Sequence, residues 1–314
     1  IELPTLLKLD GKILSLEVDP AGAHYPITID PFIQKAKLTA SDGAANDQFG
    51  VSVSVNGDTA IVGAWLHDTG GNSLQGAAYI FQRDHGGSGN WGQVAKLTAS
   101  DGATGDRFGG SVSVNGDNAI VSAHLADVSV NSDQGAAYIF GRNRGGTNNW
   151  GQMAKLIASD GAVSDSFGRF VSLSGDTAVV GANGHDTAGN ADQGSAYVFT
   201  RNQGGADNWG QAAKLTAPDG GANDWFGIRV SVDGDAAVVS AQLHDAGGNS
   251  NQGAAYVYGR NQGGAGNWDQ VAKLTSSDGG EFDAFGSSVS LSGDTAVVGA
   301  QSHTIGGNSN QGAA

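Results

Sequence analysis

Cysteine is absent from the chain. Disulfides, thiolate metal sites and a cysteine nucleophile are therefore excluded, while the compartment stays open, because exported and cytosolic proteins both tolerate this lack. Proline is scarce, five residues in 314, so the chain is neither collagen-like nor a proline-rich linker. No apolar run approaches the roughly 18 residues of a membrane-spanning helix. Glutamate is confined to Glu2, Glu17 and Glu281. The remaining acid is aspartate, which bonds its own backbone and belongs to turns rather than helix surfaces. Basic residues number 16 against 31 acidic ones, a net charge of −15. A surface of that sign repels phosphate backbones and excludes nucleic acid as a ready partner. There is no Gly-x-Ser-x-Gly elbow, no His-Glu-x-x-His and no phosphate loop. An enzyme needs a constellation that occurs once; none is found, so no catalytic residue, metal ligand or cofactor is assigned. No signal peptide is visible, and the chain opens at Ile1-Glu2-Leu3-Pro4 without methionine, so an upstream segment is expected.

What is present is one unit written five times. Phe-Gly recurs at Phe49-Gly50, Phe108-Gly109, Phe167-Gly168, Phe226-Gly227 and Phe285-Gly286, a constant step of 59 residues. Trp91, Trp150, Trp209 and Trp268 keep the same step. A fixed period of this kind means a stacked or circular array of one small unit. Apolar residues make up 39% of the chain, too many for disorder, and 52 glycines imply many turns.

The copy from Phe49 to Ala99 predicts four short strands. Residues 49–55 alternate apolar and small polar side chains with period two, the mark of a strand with one buried face. Asn56-Gly57-Asp58 follows, and Asn-Gly between alternating runs signals a hairpin whose central residues tolerate positive φ. Residues 59–64 return as a second strand. A polar loop over 65–75 leads to a third strand at 76–81, and a glycine-rich connection leads to a fourth at 91–97. Four antiparallel strands with tight turns make a sheet of the size used as a propeller blade. No segment carries a helical period over two turns, and solenoid coils are usually shorter, about 20–45 residues. The expected fold is an all-β propeller of four-stranded blades near 49–99, 108–158, 167–217, 226–276 and 285–314.

Phe49-Gly50 followed by Gly63-Ala64 resembles the FG-GAP repeat of integrin alpha-subunit propellers, without the proline. The sequence is more similar to bacterial extracellular FG-GAP proteins, in which Lys-Leu-Thr-Ala-Ser-Asp-Gly (as at Lys96 to Gly102), Asp-x-Phe-Gly, Gly-Asp-Thr-Ala-Val-Val-Gly-Ala (Gly175 to Ala182) and Gly-Ala-Ala-Tyr recur. The resemblance covers residues 33–314. It implies a β-propeller, usually of seven blades, with roles in adhesion or ligand binding outside the cell. Integrin-type repeats often carry an Asp-x-Asp-x-Asp-Gly calcium loop between strands one and two. Here that connection is Asn56-Gly57-Asp58 or Ser174-Gly175-Asp176. Calcium takes six to eight oxygens, so the calcium role does not transfer to this turn.

Residues 34–40 match a fourth strand with no first three before it, and the last copy stops inside strand three. Either 33–40 completes the last blade and closes a ring of five, or the natural chain continues and the ring is larger. Residues 1–32 do not match the repeat; Lys12 to Val18 and Tyr25 to Asp30 alternate like strands and read as the tail of an upstream module.

The loop after strand two carries His67, His185, His244 and His303 in register, with Ala126 in the second copy and His124 nearby. Asp68, Asp186 and Asp245 follow three of these histidines. Strand alternation puts this loop on one face with Asp47, Asp106, Asp165, Asp224 and Asp283. That face is the candidate ligand-binding surface, together with Trp225 and Arg229, two residues that occur in a single copy. The competing reading is turn chemistry, with aspartate capping backbone N–H groups. The tryptophans that open strand four either stack on sugars or wedge between blades, and their regular spacing favours the wedge. Arg83, Arg142, Arg201 and Arg260 follow strand three and are expected to pair with nearby aspartates.

The sequence thus points to a non-enzymatic binding or adhesion module of a secreted or cell-surface bacterial protein, with an extracellular protein or glycan as ligand. Two other readings stay open: an accessory substrate-binding propeller of a multidomain hydrolase, and a passive spacer in a large surface protein.

Overall fold

The structure is a computed structural model that describes residues 36–314 throughout and two strands before them. Those strands, β1 (Thr5–Asp10) and β2 (Ile13–Val18), form an antiparallel hairpin in register Thr5↔Val18. They belong to a compact unit of residues 1–37, separate from the unit of residues 38–314. The expected strand near Lys12 to Val18 is present, while Tyr25 to Asp30 lies outside the described residues.

The second unit is built entirely of strands and turns, with no helix among the described residues. Its first sheet comprises β3 (Val53–Asn56), β4 (Thr59–Ala64), β5 (Ala77–Arg83) and β6 (Trp91–Leu97), paired in that order. The same meander recurs as β7 (Val112–Asn115) to β10 (Trp150–Leu156), β11 (Val171–Ser174) to β14 (Trp209–Leu215), and β15 (Arg229–Asp233) to β18 (Trp268–Leu274). A fifth sheet holds β19 (Phe285–Ser292) and β20 (Thr295–Ala300). These sheets are the blades of a β-propeller.

The core lies between blades. Ile61, Ile80 and Leu97 of the first blade share one buried cluster with Phe108, Val112, Val121 and Tyr138 of the second. Equivalent clusters join the second blade to the third and the third to the fourth. A blade alone would expose both apolar faces, and fully burying one such side chain is worth about 1.5–3 kcal/mol. Neighbouring blades therefore stabilise one another.

Hydrogen bonds reinforce this packing along the row of first strands. Val112 N–H donates to Ser52 Oγ at 3.0 Å, Val114 N–H to Ser54 Oγ at 3.1 Å and Gly116 N–H to Asn56 Oδ1 at 3.0 Å. The pattern repeats one blade later, from Val171 to Ser111, Leu173 to Ser113 and Gly175 to Asn115. The first strand is an edge of its sheet, with N–H groups left unpaired by its own blade. The serines that alternate with valine supply those partners from the preceding blade.

Phe-Gly serves the same junction. Phe108 N–H donates to Gln75 O at 2.7 Å, and Gly76 bridges Phe108 in parallel sense. Gly76 has φ +88, and a Cβ there would lie 2.0 Å from Phe108 O. Only glycine permits so close a backbone approach. Asn72 Nδ2 adds a bond to Gly102 O at 3.1 Å.

Three details differ from expectation. The first strand of the first four blades starts later than Phe-Gly, and from the second blade on the Phe N–H is bonded to the preceding blade. The hairpin is centred on Gly57-Asp58, since Asn56 pairs with Thr59. Gly57 has φ +55 and Asp58 is not left-handed, the pattern with glycine first, and Asn56 is used for the inter-blade bond. Finally, residues 36–40 form no strand. Leu38 and Ala40 instead pack on the outer face of the first blade beside Phe49 and Trp91, the relation Leu97 and Ala99 have to the second blade.

Candidate functional site

The loops before Phe-Gly and after strand two meet on one face, and their contact is a polar chain within each blade. His67 Nδ1 lies 2.8 Å from Asp47 Oδ2, and His67 Nε2 accepts from Lys96 Nζ at 2.8 Å. Lys96 also donates to Asp42 Oδ2 at 2.6 Å, and the Tyr79 hydroxyl donates to Asp42 Oδ1 at 2.8 Å. Four segments are thereby tied together: the inter-blade loop, the strand-two loop, β5 and β6. His185 joins Asp165, Lys214, Asp160 and Tyr197 in the same way. His244 joins Asp224, Lys273, Asp219 and Tyr256.

The electrostatics follow from this wiring. A ring whose Nε2 accepts from an ammonium carries its proton on Nδ1 and donates it to the aspartate. Burial pushes the Asp42, Asp101, Asp160 and Asp219 carboxyls up. Hydrogen bonds from the lysine and the tyrosine outweigh that and hold all four below the usual value. Burial and the same aspartates push the Tyr79, Tyr138, Tyr197 and Tyr256 phenols well above their usual range.

Two blades vary the scheme. In the second, Ala126 replaces the histidine, and burial without that partner raises the Asp106 carboxyl. In the fifth, His303 lies 2.6 Å from Asp283 and 3.5 Å from Asp278. The Asp283 hydrogen bond favours its protonated form.

The sequence reading set His67, His185, His244 and His303 on an open rim. The structure corrects their exposure: the four residues are 5–6% exposed, and at each ring both nitrogens face blade partners. The signal for this was the lysine of strand four and the aspartate 20 residues before each histidine, which recur with it. Asp68, Asp186 and Asp245 are exposed, and each accepts a loop N–H at 2.9 Å, from Leu74, Asp192 and Asn251 respectively. Trp209 and Trp268 are buried between blades and Trp150 packs against the cluster of the first two. Arg83, Arg142, Arg201 and Arg260 pair with Asp58, Asp117, Asp176 and Asp235 at 3.2–3.4 Å.

Trp225 and Arg229 lie elsewhere on the same face, where the inner strands begin. Trp225 is half-buried with φ +58. Arg229 opens β15 and sets its guanidinium 3.8 Å from the ring centre of Phe170 in the preceding blade. Close by stand residues that sequence reasoning passed over. Arg107 occupies the position of Trp225 in the second copy and lies 4.9 Å from the Trp65 ring. His124 stacks on the same indole at 5.9 Å, 22° from parallel. Arg169 Nη1 donates to His124 Nε2 at 3.1 Å. Burial, then Arg169 and Arg107, bring the His124 imidazole down to about 4, so it is the neutral acceptor that this bond requires. The signal that could have found them is departure from the repeat. Arg107 aligns with Gln48, Ser166, Trp225 and Ala284, and His124 with Trp65, Asn183, Gln242 and Gln301.

Among the described residues no group of histidines and acids is arranged to hold a metal ion, and no helix is long and apolar enough to cross a membrane. A cleft of about 490 Å³ lies on the first blade between Asp42, Asp47, His67 and Lys96.

No curated protein matches the chain. Among solved structures it is similar to a periplasmic gluconolactonase of Pseudomonas aeruginosa, at 16% identity over 92% of this chain and 69% of that one, with TM-score 0.49. It is also similar to a hypothetical selenium-binding protein of Sulfolobus tokodaii, at 9% identity over 69% of this chain and 52% of that one, with TM-score 0.42. The FG-GAP repeat family matches residues 32–81, 91–140, 150–199, 209–258 and 268–314. Those five segments take in most of the sequence, and the second to fourth each run from the last strand of one blade through the third strand of the next, so the chain belongs to the FG-GAP repeat family.

Proposed function

We propose that this propeller is a non-enzymatic binding module of a secreted or surface-exposed bacterial protein, and that a protein or glycan ligand docks on the loop face where the inner strands begin. The observation that supports this reading is where the copies differ. Residues that form blade junctions and polar chains repeat from copy to copy. Positions at the mouth of the inner strands change in nearly every copy: Gln48, Arg107, Ser166, Trp225 and Ala284 form one such set. A scaffold constrains the first kind of residue and leaves the second free for recognition.

Screening the folded protein on glycan and protein arrays tests it. Saturable binding is expected, reduced by Trp225→Ala and unchanged by Arg260→Ala on the strand-three to strand-four side. No saturable binding to either array, with the fold verified by circular dichroism, leaves the spacer reading in its place.

A further inference from the structure

We infer that the mouth of the inner strands holds a site for an oxyanion group, carboxylate, sulfate or phosphate, bound by Arg107, Arg169 and Arg229. This rests on the reading of the loop face as the binding face and names the chemistry it recognises.

Three observations carry it. First, these arginines have no carboxylate partner among the described residues. The arginines that follow strand three pair with aspartates, whereas no described carboxylate forms a salt bridge with any of these three. In a protein of net charge −15, uncompensated cations gathered at one place are not general surface charge.

Second, each guanidinium is held by something that does not neutralise it. Arg107 lies over Trp65 and Arg229 over Phe170, contacts that use the flat face rather than the N–H edge; Arg229 gives one Nη1 hydrogen to Ile228 O at 2.9 Å and keeps its other N–H groups for a ligand. Arg169 gives one N–H to His124. His124 is 4% exposed and fixed by its stack on Trp65. The forks are thus oriented in advance, which lowers the entropy lost when a planar or tetrahedral oxyanion takes several N–H groups.

Third, the cations are half-buried and repel one another. Burial and the neighbouring Arg107 weaken the hold of Arg169 on its proton, and burial and Arg169 do the same for Arg229. A bound anion relieves that repulsion; water does so less well inside a partly desolvated mouth.

The repeat itself supplies mild variants. Serine stands at the position of Arg107 in the third copy (Ser166), at that of Arg169 in the fifth (Ser287), and at that of Arg229 in the first, second and fifth (Ser52, Ser111 and Ser288). Calorimetric titration at constant ionic strength with sulfate, phosphate and glucuronate, and with glucose as the neutral control, reads out the site. One saturable site for at least one oxyanion is expected, with no binding of glucose. Arg169→Ser and Arg229→Ser each weaken it at least ten-fold, and Arg201→Ala leaves it unchanged. The three oxyanions separate a sulfated or phosphorylated ligand from a carboxylated one. If a variant fails to fold, shifts of the Arg107, Arg169 and Arg229 side-chain N–H signals in the unmodified protein on adding sulfate give the same answer. The inference is overturned if no oxyanion saturates, or if the serine variants bind as the parent does. An array ligand that binds in the absence of any oxyanion effect would leave the binding-module reading standing and remove only this site.

Discussion

Ser111 Oγ accepts the backbone N–H of Val171, one blade further along, at 3.1 Å, and Ser111 is 3% exposed. A side chain here takes the place of a strand in pairing an edge. Ser111→Ala leaves a buried N–H without a partner, which costs about 1–3 kcal/mol. Native-state hydrogen exchange should show the Val171 amide losing protection, while the Leu173 amide, held by Ser113 at 3.2 Å, keeps its own. Unchanged protection at Val171 would show that the hydroxyl is not its partner in solution.

Gly194 has φ +87, and a Cβ added there would lie 2.0 Å from Phe226 O in the next blade. Gly194→Ala forces backbone against backbone, at about 1–3 kcal/mol for overpacking, and keeps a left-handed alanine, at roughly 1–2 kcal/mol more. Gly189 has φ +88 with nothing within 4 Å of its added Cβ. Gly189→Ala should therefore show the second penalty alone in urea unfolding. Equal losses from the two substitutions would remove the Phe-Gly junction from the account of stability.

Much of this was legible in the sequence because it recurs. The 59-residue step gave the blades, and period-two alternation gave the first strands. What the alternation could not give was the recipient of the serine hydroxyls, since a small polar residue facing a neighbour and one facing water look alike in one copy. The histidines mislead for a related reason. His67 sits in a polar loop beside exposed Asp68, yet its ring turns inward to Asp47 and Lys96, 20 and 29 residues away. Long-range polar pairing leaves no local pattern. The arginine cluster was missed because Arg107, Arg169 and Arg229 occupy different repeat positions and converge only when adjacent blades pack.

Acid should weaken the propeller. Asp42, Asp101, Asp160 and Asp219 have folded values held below those of the unfolded chain, so the unfolded state binds more protons. Their contribution is present above about pH 4, near the unfolded aspartate value, and is lost as pH falls through the folded values. Melting temperature should be level from pH 7 to about 5 and fall below about 4. Asp160→Asn should lower it at neutral pH and flatten the acid limb.

Alkali acts through the phenols. Tyr79, Tyr138, Tyr197, Tyr256 and Tyr258 are all raised, by burial first and then by neighbouring aspartates. An acid whose folded value is raised keeps its proton in the native state and gives it up on unfolding. Stability is therefore present below the unfolded value near pH 10 and declines above it. Absorbance at 295 nm should show these five silent until the fold is lost, when they ionise together. Separate ionisation of any of them in the folded protein would contradict its bond to Asp42, Asp101, Asp160, Asp219 or, for Tyr258, to Thr216 O.

The histidine chain can be tested against the blade that lacks it. Ala126 in the second blade is what His185→Ala would create in the third, and there burial raises the Asp106 carboxyl. Removing His185 takes a donor from Asp165, which is 2% exposed, and an acceptor from Lys214. Urea unfolding of the variant should show a stability loss of about 1–3 kcal/mol for the unpaired group, and an unchanged stability would remove the ring from the account of the blade. Binding of an array ligand should survive once the variant is folded, because the ring faces the blade. Loss of binding with stability intact would return His185 to the ligand face.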